Sequence, residues 1–299
     1  MSFHKTPFYR RICRKMVYLT APFWGDEAFL RAYFWCNLGY ILNLNNPKTY
    51  NEKLQWLKLH DQRPEYTRMV DKIEAKEYVR TIIGDEYIIP TLTIYDNVED
   101  VDFDKLPNQF VIKCTHDSGG VVVCRDKNNI DKTKVLKKLE KGLKQDFTYL
   151  TREYPYKSVK PRLIAEEYME DEDGELKDYK IFCFNGEPKI SFVASDRQKE
   201  DEETKFDFYD IEWNHLPFTN GHPNGLPIPK PKNYGLMLDL ARKLSKGIPH
   251  VRVDLYNVNG RIYFGELTFF HWSGFIPFEP EEWDYKLGEW LQLPNIQNK

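Results

Sequence analysis

The stretch VIKCTHDSGGVVVC (111–124) combines a cation with a turn that could hold an anion. Lys113 stands near the end of one β-branched run, and Gly119 and Gly120 stand just before the next run. A lysine supplies positive charge, and glycines let backbone N–H groups approach an anion closely. The segment therefore fits a phosphate-binding loop, with a plain hairpin as the alternative. It is not a P-loop, because the pattern GxxxxGK(S/T) followed by a helix is absent from it.

Two carboxylates flank a second predicted turn, at Asn259-Gly260. Asp254 lies in VRVDLY and Glu266 in YFGELT. Hard oxygen ligands at a fixed spacing are what a Mg²⁺–triphosphate site needs. A two-residue turn pairs Asp254 with Gly265 and puts Glu266 on the opposite face, whereas a longer loop or a bulge pairs the two carboxylates directly. We predict the second register, and side chains on opposite faces would end the metal hypothesis.

Further cations stand at predicted strand and helix positions. Asp178 and Lys180 alternate with Tyr179 in DYKIFCF, so the two charged side chains share one strand face. Arg197 follows the next strand, and Lys72 lies in DKIEAK on a predicted helix. These residues would add positive charge around an anionic ligand.

The segment LIAEEYM (163–169) places charged and aromatic residues at a strand end, where backbone groups can hydrogen-bond an adenine edge. Cys114 alternates with Lys113 along its strand, so we predict that the thiol points into the protein and is not a nucleophile. His116 either orients a substrate or phosphate or is an ordinary loop residue.

The elements that must position these residues are first helical and then mostly β. Thr49 followed by Glu52 is the pattern of a capping box, and one helix is predicted over EYTRMVDKIEAKEYVRTI (65–82). Short β-branched runs follow, and Asn185-Gly186 is a strong hairpin signal. This order of elements indicates an α+β fold with two lobes or more.

Composition excludes several classes of protein. The 299 residues are 30% charged and 41% hydrophobic, which is typical of a globular protein. A net charge of −3 gives no general attraction for nucleic acid. Five scattered cysteines without a CxxC argue against a disulfide framework or zinc site and favour a reducing compartment. The basic, aromatic segment 1–24 either lies on a membrane surface or packs as an extra helix on the main body.

The motifs, taken in order, resemble the ATP-grasp superfamily, and within it the TupA-like group found in bacterial surface-polysaccharide gene sets. The resemblance runs from about Asn46 to Leu293 and is carried in particular by NEKLQWLK, DYKIFCFNGEPK and FGELTFF…SGF. It implies a helical N-terminal region (1–84), a small lobe with the phosphate loop (85–169) and a large lobe with the magnesium site (170–299), the two lobes gripping ATP between them.

The resemblance also implies roles for individual residues. The nucleotide would be held by Lys72, Lys113 and the closing loop His116, Ser118, Gly119 and Gly120, with Glu166, Glu167 and Met169 along the adenine. The transferred phosphate or acyl group would be stabilised by Lys180 and Arg197, and Mg²⁺ would be bound by Asp254, Glu266 and Thr268. Where the superfamily usually has the metal-binding motif Glu-x-Asn, this sequence has Glu266-Leu267-Thr268. A hydroxyl oxygen would therefore replace an amide oxygen as a metal ligand.

ATP-grasp enzymes activate a carboxylate with ATP and pass the acyl group to an amine. The resemblance thus implies a ligase that uses ATP and Mg²⁺ to join an amino acid or amine to a uronic acid of a surface or capsular polysaccharide, in the cytoplasm or at the inner face of the membrane. Alternatives are a glycosyltransferase, for which DxD-type patterns stand at 171–173 and 102–104, and a non-catalytic scaffold. His271 and Trp272 belong either to an acceptor pocket or to the core.

Overall fold

The computed structural model describes residues 6–295 apart from 118, 147, 173, 175 and 196–202. Within them the N-terminal part is helical, and helices recur between and after the strands. The helices are α1 (Phe8–Thr20), α2 (Asp26–Leu38), α3 (Tyr50–His60), α4 (Glu65–Val70), α5 (Glu74–Ile83), α6 (Lys132–Leu143), α7 (Thr148–Thr151), α8 (Tyr234–Leu244) and α9 (Glu282–Trp290). In the described residues, no helix is both long and apolar enough to cross a membrane.

Within the described part of the chain, the strands form two antiparallel sheets and a short ribbon. They are β1 (Thr91–Tyr95), β2 (Phe110–Cys114), β3 (Val121–Cys124), β4 (Leu163–Glu167), β5 (Asp178–Phe184), β6 (Glu187–Ser195), β7 (Lys205–Asp210), β8 (Thr219–Asn220), β9 (His250–Val258), β10 (Arg261–Thr268) and β11 (Phe278–Glu279). One sheet has the order β1-β4-β2-β3, the other has the order β10-β9-β5-β6-β7, and β8 pairs with β11. The α+β fold class is confirmed.

Each main sheet has its own hydrophobic core. The four-stranded sheet packs against α6 through buried residues that include Phe110, Ile112 and Leu139. The five-stranded sheet shares its core with the N-terminal helices, so that Phe29 and Leu54 belong to the same cluster as Phe182. The division at 84 and 169 stays a prediction.

Local sequence signals form as predicted at several element ends. Thr49 accepts a hydrogen bond from the backbone N of Glu52, whose carboxylate accepts one from the backbone N of Thr49, which completes the capping box. The hairpin between β5 and β6 turns at Asn185-Gly186, with φ of 51° and 86°. Both residues have the positive φ that a type I′ hairpin turn requires and that Asn and Gly tolerate best.

The single helix predicted over 65–82 is wrong, because the chain breaks at Asp71–Ile73 between α4 and α5. The Asp71 carboxylate accepts a hydrogen bond from the backbone N of Ile73 at 2.8 Å. The backbone N of Lys72 donates to the carbonyl of Thr115 at 3.2 Å instead of continuing the helix. Lys72 therefore lies in the break and is tied to the segment that follows β2.

The N-terminal and C-terminal helices are joined by a buried clasp. Asp284 in the first turn of α9 accepts hydrogen bonds from the backbone N and the side-chain amide of Asn51, both at 2.9 Å. One of the N–H groups that a helix start leaves unpaired is thereby satisfied by a carboxylate from the other end of the sequence. Gly288 lies against the backbone at Lys48, where a Cβ atom would approach the carbonyl oxygen to 2.1 Å.

Candidate functional site

A cavity of about 450 Å³ lies between the two main sheets. Strands β2, β3 and β4 line one side, and β5, β6, β9 and β10 line the other. It brings together most of the residues that the sequence singled out, namely Lys72, Lys113, Glu166, Glu167, Met169, Lys180, Asp254 and Glu266. Residues more than 190 positions apart in the sequence thus meet in one place, as the order of motifs predicted.

The carboxylate pair has the predicted register. Glu266 lies opposite Asp254 in the β9–β10 pairing, and the register shifts between Phe264 and Glu266. The turn itself is the two-residue kind, since Val258 pairs with Arg261. A bulge at Gly265 therefore supplies the extra residue that puts both carboxylates on one face.

Asp254 is buried between two cations. Arg252 donates to its two carboxylate oxygens through Nε and Nη2, both at 2.7 Å. The Lys180 ammonium contacts the same carboxylate and also pairs with Asp178 at 2.6 Å. Burial raises the pKa of Asp254 to about 6, although both cations oppose that shift. Burial acts on Glu266 in the same direction, but Lys180 and Arg252 prevail and lower the pKa of Glu266.

Arg252 was missed by the sequence interpretation. Its Nη1 lies 2.8 Å from Nδ1 of His271, whose Nε2 lies 2.9 Å from Oδ1 of Asn220. Since the guanidinium must donate, Nδ1 accepts and Nε2–H donates to Asn220. Burial and the Arg252 charge lower the pKa of His271, which keeps the ring neutral. The available signal was the i, i+2 spacing of Arg252 and Asp254, which puts both on one strand face.

His271 and Trp272 have different surroundings. His271 is buried and braces Arg252. Trp272 is 41% exposed and lies nearly parallel to Phe206, with ring centroids 6.0 Å apart. The φ angles of Trp272 and Ser273 are 48° and 55°, in the left-handed region where residues other than glycine are strained.

On the opposite wall, Glu166 organises two lysines. Its buried carboxylate pairs with Lys113 and, at 2.5 Å, with Lys76. Lys76 also donates to the carbonyl of Ile89 and to Oγ1 of Thr91, each at 2.8 Å. Burial raises the pKa of Glu166, but the two lysine charges outweigh burial and lower it. Lys76, absent from the sequence prediction, thus positions the carboxylate that holds Lys113.

The predicted loop 116–120 approaches the cavity through Asp117. The Lys72 ammonium donates to the Asp117 carbonyl at 2.5 Å, and the Asp117 carboxylate accepts from the backbone N of Gly120 at 2.9 Å. His116, Gly119 and Gly120 do not line the cavity; Nε2 of His116 lies 3.2 Å from the carbonyl oxygen of Gln145. Two further predicted site residues, Ser118 and Arg197, lie outside the described residues.

Cys114 points away from the cavity, as its alternation with Lys113 predicted. The thiol is fully buried, and its Sγ lies 3.6 Å from the carbonyl of Leu139. Burial raises the pKa of Cys114 to about 12, so the thiol stays protonated near neutral pH and is a poor nucleophile.

The carboxylates fit a magnesium ion that arrives with a nucleotide. The described residues contain no cluster of three or more His, Cys, Asp or Glu side chains that could cage a metal. Asp254 and Glu266 nevertheless face the cavity together, and Mg²⁺ is commonly bound by one or two carboxylates plus substrate phosphates. The hydroxyl of Thr268 accepts from Arg252 at 3.0 Å and donates to Glu266 at 3.2 Å, and it lies outside the cavity lining.

Comparison with known proteins identifies a family. The chain matches the family model described as TupA-like ATPgrasp over residues 52–292. D-alanine–D-alanine ligase from Bacillus anthracis, complexed with ATP, is 16% identical with a TM-score of 0.39, over 67% of this chain and 53% of that chain. The chain therefore spans about half of that ligase's length.

Two further solved structures are similar at the same level. The ATP-grasp ligase PsnB, complexed with minimal precursor, Mg and ADP, is 10% identical with a TM-score of 0.38, over 89% of this chain and 67% of that chain. D-cycloserine synthetase DcsG is 14% identical with a TM-score of 0.41, over 75% of this chain and 71% of that chain. No curated protein matches the chain.

Proposed function

The chain belongs to the TupA-like ATP-grasp family, and we propose that it is an ATP-dependent ligase joining a carboxylate to an amine through an acyl phosphate. One observation carries the proposal: Lys72, Lys113 and Lys180 line the same cavity as Asp254 and Glu266. Three cations suit the phosphates of a nucleotide, and the carboxylate pair suits the magnesium that accompanies them.

The nucleotide would lie across the cavity. Val111 and Val123 give the four-stranded side an apolar surface, and Glu167 and Met169 stand at the end of β4. We place the adenine against these residues and the phosphates towards Lys72, Lys113 and Lys180. The pairing of Lys113 with Glu166 holds its ammonium in place before ATP arrives, so little of the binding energy is spent on ordering that side chain.

The reaction would proceed in two displacements. An acceptor carboxylate oxygen attacks the γ-phosphorus of ATP, the bond from that phosphorus to the β–γ bridging oxygen breaks, and ADP leaves with the electron pair. The amine nitrogen then attacks the acyl carbon and loses a proton, while the carbon–oxygen bond to phosphate breaks and phosphate leaves. Lys180, which lines the cavity, would neutralise the developing charge, and preorganised cations of this kind supply much of the rate in such sites. Arg252 would act through Asp254, whose carboxylate it holds.

Mg²⁺ would be held by Asp254 and Glu266 together with phosphate oxygens. When bound, the ion neutralises phosphate charge and makes the γ-phosphorus easier to attack. Both carboxylates already contact Arg252, so this chain holds cationic and metal-binding groups in one connected set.

We further propose that the acceptor is a uronic acid of a bacterial surface polysaccharide and that the donor is an amino acid or another amine, with the reaction in the cytoplasm. The support is the resemblance to a group found in surface-polysaccharide gene sets. The exposed indole of Trp272 offers a flat face of the kind that packs against sugar rings. His271 connects this position to Arg252.

The test is to incubate the protein with Mg-ATP, a panel of uronic acids and a mixture of amino acids, and to measure ADP and phosphate. ADP release that requires both acceptor and amine, with an amide product by mass spectrometry, supports the ligase. Turnover of a nucleotide sugar without ATP would replace it with a glycosyltransferase. Binding of ATP or glycan without turnover of either would favour a scaffold.

A further inference from the structure

Helix α1 carries an exposed apolar stripe. Phe8, Ile12, Met16 and Leu19 recur every three or four residues along α1, and Phe23 follows in the 3₁₀ turn Ala21–Phe23. The exposed fractions of Phe8, Leu19 and Phe23 are 74%, 63% and 88%. Residues at this spacing share one face of a helix. Large apolar side chains exposed as a continuous row mark an interaction surface, whereas single ones need no explanation.

The stripe is not the face by which α1 packs on the protein, because a different face of the helix does so. Val17 is buried, as is Ala21 just past the helix end, and Cys13 packs against the same cluster. Arg14 donates to Oδ1 of Asn37 on α2 at 3.1 Å, which fixes the rotation of α1 about its axis. The five apolar side chains of the stripe therefore point away from the protein in the folded state.

The charge beside the stripe selects the partner. Arg11 and Lys15 are exposed and flank the apolar row, with Arg10 and Arg14 nearer the protein. The sequence contains no acidic residue before Asp26. A second copy of this chain would bring like charges together at such a contact, whereas an anionic surface would neutralise them.

We propose that α1 docks on anionic phospholipid, lying in the plane of the interface with the stripe among the acyl chains and Arg11 and Lys15 at the headgroups. Amphipathic helices with one cationic flank bind in this way, with the apolar face about 5–10 Å deep. The membrane would then be contacted by a segment that precedes the matched family region, which begins at residue 52.

The test is flotation of the full chain with vesicles, measured without ATP. Vesicles of phosphatidylcholine mixed with phosphatidylglycerol should carry the protein, and pure phosphatidylcholine should carry about tenfold less. The double variants Ile12→Gln/Leu19→Gln and Arg11→Glu/Lys15→Glu should each lower binding at least about tenfold. Leu226→Gln, at an 87% exposed position elsewhere, is the matched control and should bind as the unchanged chain does.

Three results would overturn the proposal. These are no flotation with the anionic vesicles, equal flotation with both vesicle types, or binding unchanged in the α1 variants. A concentration-dependent dimer that Ile12→Gln/Leu19→Gln breaks, without vesicle binding, would assign the stripe to a second copy instead. Circular dichroism melting of each variant confirms that it is folded, and because the assay involves no turnover, its outcome is independent of the ligase proposal.

Discussion

Glu266 lies opposite Asp254 across the β9–β10 hairpin, even though the two-residue turn alone would pair Asp254 with Gly265. The bulge at Gly265 therefore determines which side chain faces the cavity. A Cβ atom at this position would lie 3.0 Å from the carbonyl oxygen of Asp254, so the strand approaches its partner most easily with glycine there. One residue without a side chain thus decides whether two carboxylates share a face.

The carboxylate pair should be required for turnover. We expect Glu266→Gln to lower kcat at least about a hundredfold with little change in melting temperature, because its side chain is 42% exposed. Asp254→Asn should lose activity and also about 3 kcal/mol of stability, since it leaves Arg252 and Lys180 without their buried partner. Steady-state ADP release and thermal melting check both. Full activity in both variants would remove the metal assignment.

Lys113 and Lys76 both pair with the Glu166 carboxylate, but substituting them should have different effects. Lys113 lines the cavity, so Lys113→Ala should raise the KM for ATP by about tenfold or more, and it should also lower stability because Glu166 loses that partner. Lys76 is buried behind it, and Lys76→Met should mainly destabilise the protein, by about 3 kcal/mol, because Glu166 loses a buried partner. ATP titrations and urea unfolding separate the two effects. Equal KM values in the two variants would contradict this division.

Arg252 should matter through its geometry as well as its charge. Arg252→Lys keeps one positive charge but loses the fork that holds both oxygens of Asp254. We expect a fall in kcat of about a hundredfold with an unchanged KM for ATP. His271→Ala removes the imidazole that accepts a hydrogen bond from Arg252 but leaves the Arg252 charge, so it should lower kcat by a smaller factor. A kcat unaffected by Arg252→Lys would show that turnover does not require the fork that holds Asp254.

Gly288 should be intolerant of any side chain. A Cβ atom would lie 2.1 Å from the Lys48 carbonyl oxygen and 2.9 Å from the backbone N of Tyr50, so Gly288→Ala forces α9 away from α3. We expect a loss of about 2 kcal/mol or more in urea unfolding. Gly235→Ala, also in a helix but with no atom within 4 Å of the new Cβ, is the control and should be neutral or stabilising.

Asp284 should make stability depend on pH. Burial raises its pKa from 3.8 to about 6. Between these two pH values, Asp284 is therefore protonated in the folded protein but already ionised in the unfolded chain. Stability from this group is therefore present below pH 3.8 and falls as pH rises towards 6, by at most about 3 kcal/mol. In Asp284→Asn the decrease in stability between these two pH values should be correspondingly smaller, as urea unfolding at each pH would show. An identical pH dependence would refute the assignment.

The sequence was informative where a signal is local. The Thr49–Glu52 capping box and the Asn185-Gly186 hairpin each depend on neighbouring residues, and both form as predicted. The break at Lys72 could not be predicted, since the acceptor of its backbone N–H is Thr115, far along the chain.

The candidate site shows the same limit. Motif order indicated which residues would meet in the cavity. Lys76 was missed because its partner Glu166 lies far along the chain. Arg252 was missed although its spacing to Asp254 was a signal, because only the structure shows that this carboxylate is buried. The importance of Lys76 follows from a tertiary contact alone.

The clasp between Asn51 and Asp284 also sets an order of events during synthesis. The two residues are 233 positions apart, so on a ribosome α3 emerges long before the carboxylate that caps it exists. The four-stranded sheet uses strands between Thr91 and Glu167 and is complete in sequence much earlier. Contacts of such long range are slow to form, and domains tend to fold as their last element emerges. The nascent chain should therefore carry a finished small sheet while its larger core stays open until α9 has been made.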